Sequence, residues 1–149
     1  MPEIKYGIIA TEKFAEPKNW EIWDAPNNEE VLYQYFPEGT CLCPRSSYPD
    51  FFKLHLITIP NKKVVELKCL KLWINSFRNV GISHENLTYK IANILFEVLK
   101  LKYIFVLMEY SPRGNLTTFP MTELLDDHFN SGLREEVSII KRKILNKII

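Results

Sequence analysis

Two neighbouring stretches decide the fold: residues 51–59 read FFKLHLITI, and residues 67–78 read LKCLKLWINSFR. The first stretch is rich in β-branched and aromatic residues, which is typical of a strand. In the second stretch apolar residues recur at i, i+4 and i+7, on one face of a helix, at Leu70, Ile74 and Phe77. This change of period predicts a β-strand followed by an α-helix.

Further elements are predicted on either side of this pair. Residues 31–36 are predicted to form a strand, which ends where Pro37 and Gly39 indicate a turn. Ser83 is a candidate N-cap of a second helix, whose apolar stripe is Leu87, Ile91, Ile94, Leu95 and Val98. Residues 102–110 and 115–119 form two more strands, joined by a turn at 111–114. The order ββααββ predicts an α+β domain, with an antiparallel sheet and both helices on one face.

The ends of the chain differ from this central domain. Residues 1–30 are predicted to form an N-terminal arm, residues 31–120 the domain, and residues 121–149 a C-terminal amphipathic helical extension. Residues 131–149 carry apolar positions at helical spacing, with lysines and arginines around them. Docking on its own domain or on a neighbouring subunit is favoured for this helix, and a membrane-surface or RNA-binding role is the alternative.

Composition narrows the class of protein. The 149 residues carry 19 Lys plus Arg against 18 Asp plus Glu, a net charge of +1. This balance argues against a protein that holds nucleic acid mainly through its phosphates. Three cysteines without a disulfide-like spacing, no leader-like start and no long apolar run predict a soluble protein of the cytoplasm.

Reactive side chains are densest in residues 41–50, CLCPRSSYPD. A nearby arginine favours the thiolate form of a cysteine, and Asp50 is placed to donate or accept a proton. Most free cysteines are small buried hydrophobes, so nucleophilic catalysis competes with a structural role. Cys41 and Cys43 offer only two metal ligands, and no other ligand stands at a zinc-finger spacing, so no metal is expected.

Two further groups of residues have both a functional and a structural interpretation. Lys68, Lys71 and Arg78 share a helical face that could hold the phosphates of an anionic cofactor, with Arg113 joining from a distant turn, or could be a solvated surface. In the pair His84-Glu85, the carboxylate of Glu85 could, if buried, accept two N–H hydrogen bonds from a guanine-like edge. A glutamate in the first turn also favours the helix dipole.

Together, four stretches resemble the QueF family of NADPH-dependent 7-cyano-7-deazaguanine reductases. They are Cys43-Pro44 with residues 48–51, residues 65–73 (VELKCLKLW), residues 76–79 with His84-Glu85, and residues 112–114 (PRG). The resemblance covers roughly residues 15–120. It implies the tunnelling fold, in which subunits join their ββααββ sheets into a barrel, with active sites between subunits. A homo-oligomer of two stacked rings is expected.

The resemblance also implies a role for each matching residue. Cys43 is expected to attack the nitrile carbon and form a thioimide, while Asp50 supplies the proton. The deazaguanine substrate would be held by Val65, Glu66, Leu67, His84 and Glu85. NADPH would be held by Leu67, Lys68, Arg113 and Gly114, with Lys71 added from the basic face. No stable binding of nucleic acid or of a membrane is expected.

Cys69 stands where the family usually has Ser or Ala, which leaves a cofactor contact by that side chain in doubt. Two alternatives stay open. A QueF-like amidinotransferase that forms archaeosine shares the Cys and Asp but lacks the signature of residues 66–73. A non-catalytic tunnelling-fold protein that binds a purine, a pterin or RNA would not need the reactive loop.

Overall fold

The computed structural model describes residues 8–26, 29–127 and 129–149. Parts of the predicted N-terminal arm, residues 1–7 and 27–28, lie outside this range. In chain order the elements are α1 (Ile8–Phe14), β1 (Ile22–Asp24), β2 (Leu32–Leu42), β3 (Pro49–Ile59), β4 (Lys63–Val65), α2 (Leu67–Asn75), α3 (His84–Leu99), β5 (Tyr103–Tyr110), β6 (Met121–Leu125) and α4 (Arg134–Ile148). Short 3₁₀ helices occupy Pro17–Asn19 and Ser76–Asn79.

The main sheet has four antiparallel strands in the order β2-β3-β5-β6, and β1 pairs with β4 in a separate two-stranded sheet. The predicted order of two strands, two helices and two strands is confirmed within it. Assembly of such sheets into a barrel remains a prediction. Among the described residues, no helix combines the length and the apolar character that crossing a bilayer requires.

Strand β2 is longer than predicted, because residues 37–39 do not end it. The pairing of β2 with β3 shifts between Phe36 and Gly39, so these residues form a bulge that absorbs Pro37, which has no N–H to donate. Gly39 is required here: a Cβ atom would lie 2.0 Å from the ring of Phe52. The bulge lets β2 continue to Leu42, directly before the reactive loop.

The fourth strand was predicted in the wrong place. We expected it at residues 115–119, but β6 spans Met121–Leu125. Gly114 and Asn115 have φ angles of 56° and 68°, and Arg113 and Leu116 exchange backbone hydrogen bonds of 2.9 Å around them. This two-residue turn of type I′ geometry reverses the chain. The carbonyls of Thr118 and Pro120 already accept from the N–H groups of Tyr110 and Met108 in β5, at 3.2 and 3.1 Å, but Pro120 has no N–H to donate, so the regular ladder begins only at Met121. The predicted boundary at residue 120 therefore falls before the last strand of the sheet, and the division into arm, domain and extension stays a proposal.

Residues alternate between the two faces of the sheet, and each face has its own core. On one face Phe52, Leu54 and Leu56 pack against α2 and α3. The apolar positions predicted for these helices are buried, except that Ile94 is partly buried and Val98 is more exposed. On the other face Ile57, Ile59 and Phe105 pack against α4. The predicted amphipathic C-terminal helix is thus confirmed, and it docks on its own sheet.

The segment before β2 also packs on the domain. Phe14 and Trp20 are buried, and the rings of Trp20 and Trp73 meet edge to face with centroids 5.0 Å apart. Helix α2 is thereby fixed between the sheet and the N-terminal segment. This packing sets the positions of the residues at both ends of α2.

Candidate active site

The reactive loop is a tight turn between β2 and β3. The N–H of Cys43 donates to the carbonyl of Tyr48 at 2.8 Å, and the N–H of Ser47 donates to the carbonyl of Cys43 at 3.0 Å. Ser47 adopts the left-handed region, with a φ of 62°, to close the turn. The loop therefore holds Cys43 half-buried at the end of the sheet.

Hydrogen bonds lower the pKa of Cys43 from its ordinary 9.0 to about 6. The largest cause is the side chain of Ser46, followed by the backbone N–H of Ser46, the guanidinium of Arg113 and the backbone N–H of Arg45. Each of these donors stabilises the thiolate. Cys43 is therefore mostly ionised at neutral pH.

The other two cysteines have the opposite character. Burial raises the pKa of Cys41 to about 11, and burial also raises the pKa of Cys69. Cys69 accepts a hydrogen bond from the N–H of Glu21 at 3.3 Å, so it has a structural contact at the start of α2. Of the three thiols, Cys43 alone combines access with a lowered pKa.

Asp50 is the second residue of β3, and its carboxylate is buried between two basic groups. Oδ1 is 2.9 Å from Nη1 of Arg113, and Oδ2 is 3.3 Å from Nε2 of His84. The guanidinium is close but not aligned, so Oδ1 has no hydrogen-bond donor among the described residues. A buried acceptor without a donor is rare in folded proteins and marks a place where a ligand or a transferred proton fits.

His84 is positioned by the start of α3 and by an aromatic ring. Ser83 caps the helix by accepting from the N–H of Asn86 at 3.2 Å, which confirms the predicted N-cap. The imidazole stacks on Tyr110, with ring centroids 3.6 Å apart and an interplanar angle of 9°. Glu85 follows on the exposed first turn of the helix.

Tyr110 was missed by the sequence analysis. It is the last residue of β5, it is buried, and its hydroxyl lies 3.8 Å from the sulfur of Cys41. Strand alternation places Tyr110 on the same face as Val106 and Met108, which pack under α3. The alternation along β5 is visible in the sequence, but it could not show that α3 begins directly over the ring of Tyr110.

A second group of predicted residues surrounds the N-terminus of α2. Glu66 caps this helix: its carboxylate accepts from the N–H groups of Lys68 at 2.8 Å and Cys69 at 3.1 Å. Burial alone would raise the pKa of Glu66, but these donors outweigh it and the net pKa is lowered. Val65 pairs with Ile22 in the small sheet.

The exposed members of this second group offer a cationic and apolar surface. Leu67 is 66% exposed, and Lys71 lies one turn further along α2. Cationic side chains beside the N-terminus of a helix suit the phosphates of a nucleotide, and the exposed leucine offers an apolar contact to a planar ring. The residues at this end of α2 therefore fit a cofactor such as NADPH.

The structure does not bring the two groups together within one chain. Helix α2 and the 3₁₀ helix after it separate Glu66 from Val80, a length of roughly 20 Å at ordinary rises per residue. Val80 lies at the reactive end, because its carbonyl accepts from the N–H of Leu42 at 3.0 Å. Arg113 and the adjacent Gly114 lie at that end too, so Arg113 joins Cys43 and Asp50 rather than the lysines of its own chain.

Comparison with known proteins identifies the family to which the chain is similar. The family described as QueF-like protein matches residues 49–128. The chain is 47% identical over 118 residues to the NADPH-dependent 7-cyano-7-deazaguanine reductase of Nitratiruptor sp., covering 77% of this chain and 88% of the relative. It is 48% identical over 118 residues to the enzyme of the same name from Aquifex aeolicus, covering 78% of this chain and 88% of the relative.

A solved structure shares the fold. The apo form of the archaeosine synthase QueF-Like superposes with a TM-score of 0.57, covering 66% of this chain and 95% of that structure. The sequence identity is 21%, so this likeness concerns the fold alone. The length and identity of the family matches, together with the shared fold, show that the chain belongs to the QueF-like protein family.

Proposed function

We propose that the protein is an NADPH-dependent nitrile reductase that converts 7-cyano-7-deazaguanine to 7-aminomethyl-7-deazaguanine, in the biosynthesis of queuosine. The observation that carries this proposal is the cluster of an ionised Cys43 and a buried Asp50, at the same end of one sheet. Relatives at 47% and 48% identity bear the name of that reductase. The reaction requires a nucleophile and a proton donor, and the cluster supplies both.

The thiolate of Cys43 attacks the nitrile carbon, and a C–S bond forms as one C–N π bond breaks. The nitrogen takes a proton from Asp50, which gives a neutral thioimide on the sulfur. Covalent capture turns an unreactive triple bond into a C=N centre that accepts hydride. Oδ1 of Asp50 forms an ion pair with Arg113 at 2.9 Å but accepts no aligned hydrogen bond among the described residues, so it keeps a lone pair through which this proton can exchange with the substrate.

NADPH, when bound, supplies one hydride per molecule, and two molecules take the nitrile to the amine. Between the two reductions the C–S bond breaks and Cys43 leaves as a thiolate. A low pKa makes the thiolate a good leaving group as well as a nucleophile. The hydrogen bonds from Ser46 and Arg113 therefore serve both halves of the reaction.

His84 and Glu85 hold the deazaguanine in this proposal, and Tyr110 positions His84. The exposed carboxylate of Glu85 lies at the start of α3, next to the imidazole that contacts Asp50. A carboxylate accepts two N–H bonds from a guanine-like edge and thereby selects it. The substrate is then a free base, and neither stable nucleic-acid binding nor a membrane is required.

A second copy of the chain completes the site. Val65, Glu66, Leu67, Lys68 and Lys71 lie roughly 20 Å from the reactive end of their own chain, along α2 and the following turn. Within the described chain the sheet ends at β2 and β6, and strand edges of this kind invite pairing between subunits. We therefore propose a homo-oligomeric barrel of two stacked rings, located in the cytoplasm, with active sites between subunits.

The amidinotransferase alternative has less support. The likeness to the archaeosine synthase rests on 21% identity, whereas relatives at more than twice that identity are named reductases. The signature of residues 66–73 is present in this chain. No observation favours a non-catalytic binding protein over an enzyme, because the reactive loop has the pKa pattern of a nucleophile.

Oxidation of NADPH in the presence of the free nitrile base tests the proposal. We expect two NADPH consumed per base, full loss of turnover in Cys43→Ala, and retained turnover in the matched control Cys69→Ala. Absence of NADPH oxidation, with an amidine appearing on tRNA instead, would establish the amidinotransferase. Oxidation that survives in Cys43→Ala would refute the covalent mechanism.

A further inference from the structure

A cavity of about 520 Å³ lies on the sheet face opposite α2 and α3, under the C-terminal half of α4. Strands β2, β3 and β5 form its floor, and α4 forms one wall. Its volume falls within the range of small-molecule sites. Helix α4 begins at Arg134, beyond the residues 49–128 that match the family, so this cavity joins the family's sheet to an additional helix.

Three lysines surround the cavity. Lys53 comes from β3, and Lys143 and Lys147 come from successive turns of α4. Each is exposed, and none forms an ion pair with a carboxylate in the part of the chain that the structure describes. The cavity thus carries an excess of positive charge that attracts anions.

The one carboxylate in the lining belongs to Glu109, and it forms a hydrogen bond with His55. Oε2 of Glu109 lies 2.5 Å from Nε2 of His55, and the hydroxyl of Tyr33 lies 2.7 Å from Nδ1. Burial, Tyr35 and Glu109 raise the pKa of Tyr33, so the phenol remains protonated. These two contacts to the ring nitrogens of His55 hold the three side chains together as one unit.

This unit presents an aromatic wall. Tyr33 and Tyr35 are 44% and 45% exposed, and both lie nearly parallel to the ring of His55, at 6.0 Å and 4.7 Å between centroids. Ile144 and Ile148 of α4 complete the apolar part of the lining. These side chains offer contacts to a planar ring, because aromatic and aliphatic faces both pack well on a flat heterocycle.

We propose that this cavity binds a small planar aromatic compound that carries a phosphate, of the nucleoside monophosphate class. The lysines compensate the charge of the phosphate through charge-assisted hydrogen bonds, and the tyrosines contact the ring. The site is separate from Cys43, since it lies on the other face of the sheet from His84 and Tyr110.

Isothermal titration calorimetry of the full chain with uridine 5′-monophosphate tests the proposal. Its base is neither the guanine type of the substrate nor the adenine of NADPH, and competition with NADPH shows whether its phosphate binds at Lys68 and Lys71 instead. We expect saturable binding that weakens with added salt, and weaker binding of uridine or inorganic phosphate alone. The double variant Lys143→Gln/Lys147→Gln should weaken binding by about tenfold or more.

The matched control is Arg142→Gln, a charge on the same helix that is not part of the lining. It should bind like the wild type. Lys53→Gln, on the strand, should weaken binding even if the double variant loosens α4, and circular dichroism reports on that helix. No saturable binding, equal losses in Arg142→Gln, or competition between uridine 5′-monophosphate and NADPH would each overturn the proposal.

Discussion

Replacing Arg113 by methionine should raise the pKa of Cys43, because the guanidinium is one of the four hydrogen-bond donors that stabilise the thiolate. The same guanidinium lies 3.4 Å from Oγ of Ser46 and 2.9 Å from Oδ1 of Asp50. Methionine keeps a similar length and removes both the charge and the donors. The variant therefore separates the electrostatic effect of Arg113 from its bulk.

The size of the effect follows from the number of donors. The fall from 9.0 to about 6 is shared by four hydrogen bonds, so each donor accounts for roughly 0.8 on average. Loss of Arg113 should bring the pKa of Cys43 to about 7, which lowers the thiolate fraction at pH 7 from roughly nine-tenths to about one-half. Ser46→Ala should raise the pKa further, since the Ser46 side chain is the largest cause.

The assay is the rate of alkylation by iodoacetamide between pH 4 and pH 10, followed at Cys43 by peptide mapping. In the wild type the rate should rise through a midpoint at about 6, and Cys41, whose pKa is about 11, should react slowly throughout. The matched control is Arg45→Met. Arg45 acts on Cys43 through its backbone N–H, so removal of its side chain should leave the midpoint unchanged.

Two outcomes would contradict hydrogen bonding as the cause of the low pKa of Cys43. If Arg45→Met and Arg113→Met moved the midpoint equally, general positive charge rather than the specific contact would set the pKa. If neither Arg113→Met nor Ser46→Ala moved it, the hydrogen bonds at the loop would not be the cause of thiolate formation.

Three further substitutions test other parts of the site. Asp50→Asn should slow formation of the thioimide by about 10²-fold or more, because the proton donor is lost, whereas exposed Asp24→Asn should have no effect in the same stopped-flow assay. Lys68→Ala should raise the Michaelis constant for NADPH several-fold more than that for the nitrile, and Lys62→Ala should change neither; the reverse order would return Lys68 to a surface role. Glu66→Ala should lower the free energy of unfolding by about 1 kcal/mol, measured in urea at pH 7, through loss of the helix cap. Since the pKa of Glu66 is lowered in the folded protein, this stabilisation should be present above pH 4.5 and should disappear as the pH falls through the lowered value; a difference that persists in strong acid would contradict the cap.

Regular periodicity made the central elements predictable. The strand at 51–59 and the face of Leu70, Ile74 and Phe77 follow from local pattern, and burial in the structure agrees with it. The C-terminal helix follows from the same pattern, whereas its docking on its own sheet rather than on a neighbouring subunit could be seen only in the structure. Burial of apolar side chains determines these elements, and the spacing of apolar residues can be seen within a short stretch of sequence.

The errors arose where tertiary contacts override local signals. Pro37 and Gly39 look like a turn, yet they form a bulge because β3 continues to pair beyond them and the ring of Phe52 fills the space above Gly39. The fourth strand was placed too early because Pro120 has no N–H to donate, so regular pairing begins only at Met121, although Thr118 and Pro120 already accept hydrogen bonds from β5. Turn residues show that the chain bends, but not whether pairing resumes at once.

The candidate site shows the same division. Cys43 and Asp50 were predicted from their residue types. The contacts of His84 and Arg113 with the two carboxylate oxygens of Asp50 depend on how α3 and the connection at 111–120 pack, and the sequence does not show that packing. The length of α2 could be predicted from the sequence. Its consequence, that Glu66 lies far from Cys43 in the same chain, became clear only once both ends of the helix were placed.

The proposed mechanism depends on covalent capture of the substrate by Cys43, and intact-mass spectrometry detects the resulting adduct. On incubation with the free nitrile base and no NADPH, wild-type protein should gain the mass of one base per chain. Cys41→Ala and Cys69→Ala should gain the same mass, Cys43→Ala should gain none, and addition of NADPH should restore the unmodified mass. An unmodified wild-type protein, or an adduct that persists in Cys43→Ala, would contradict the account.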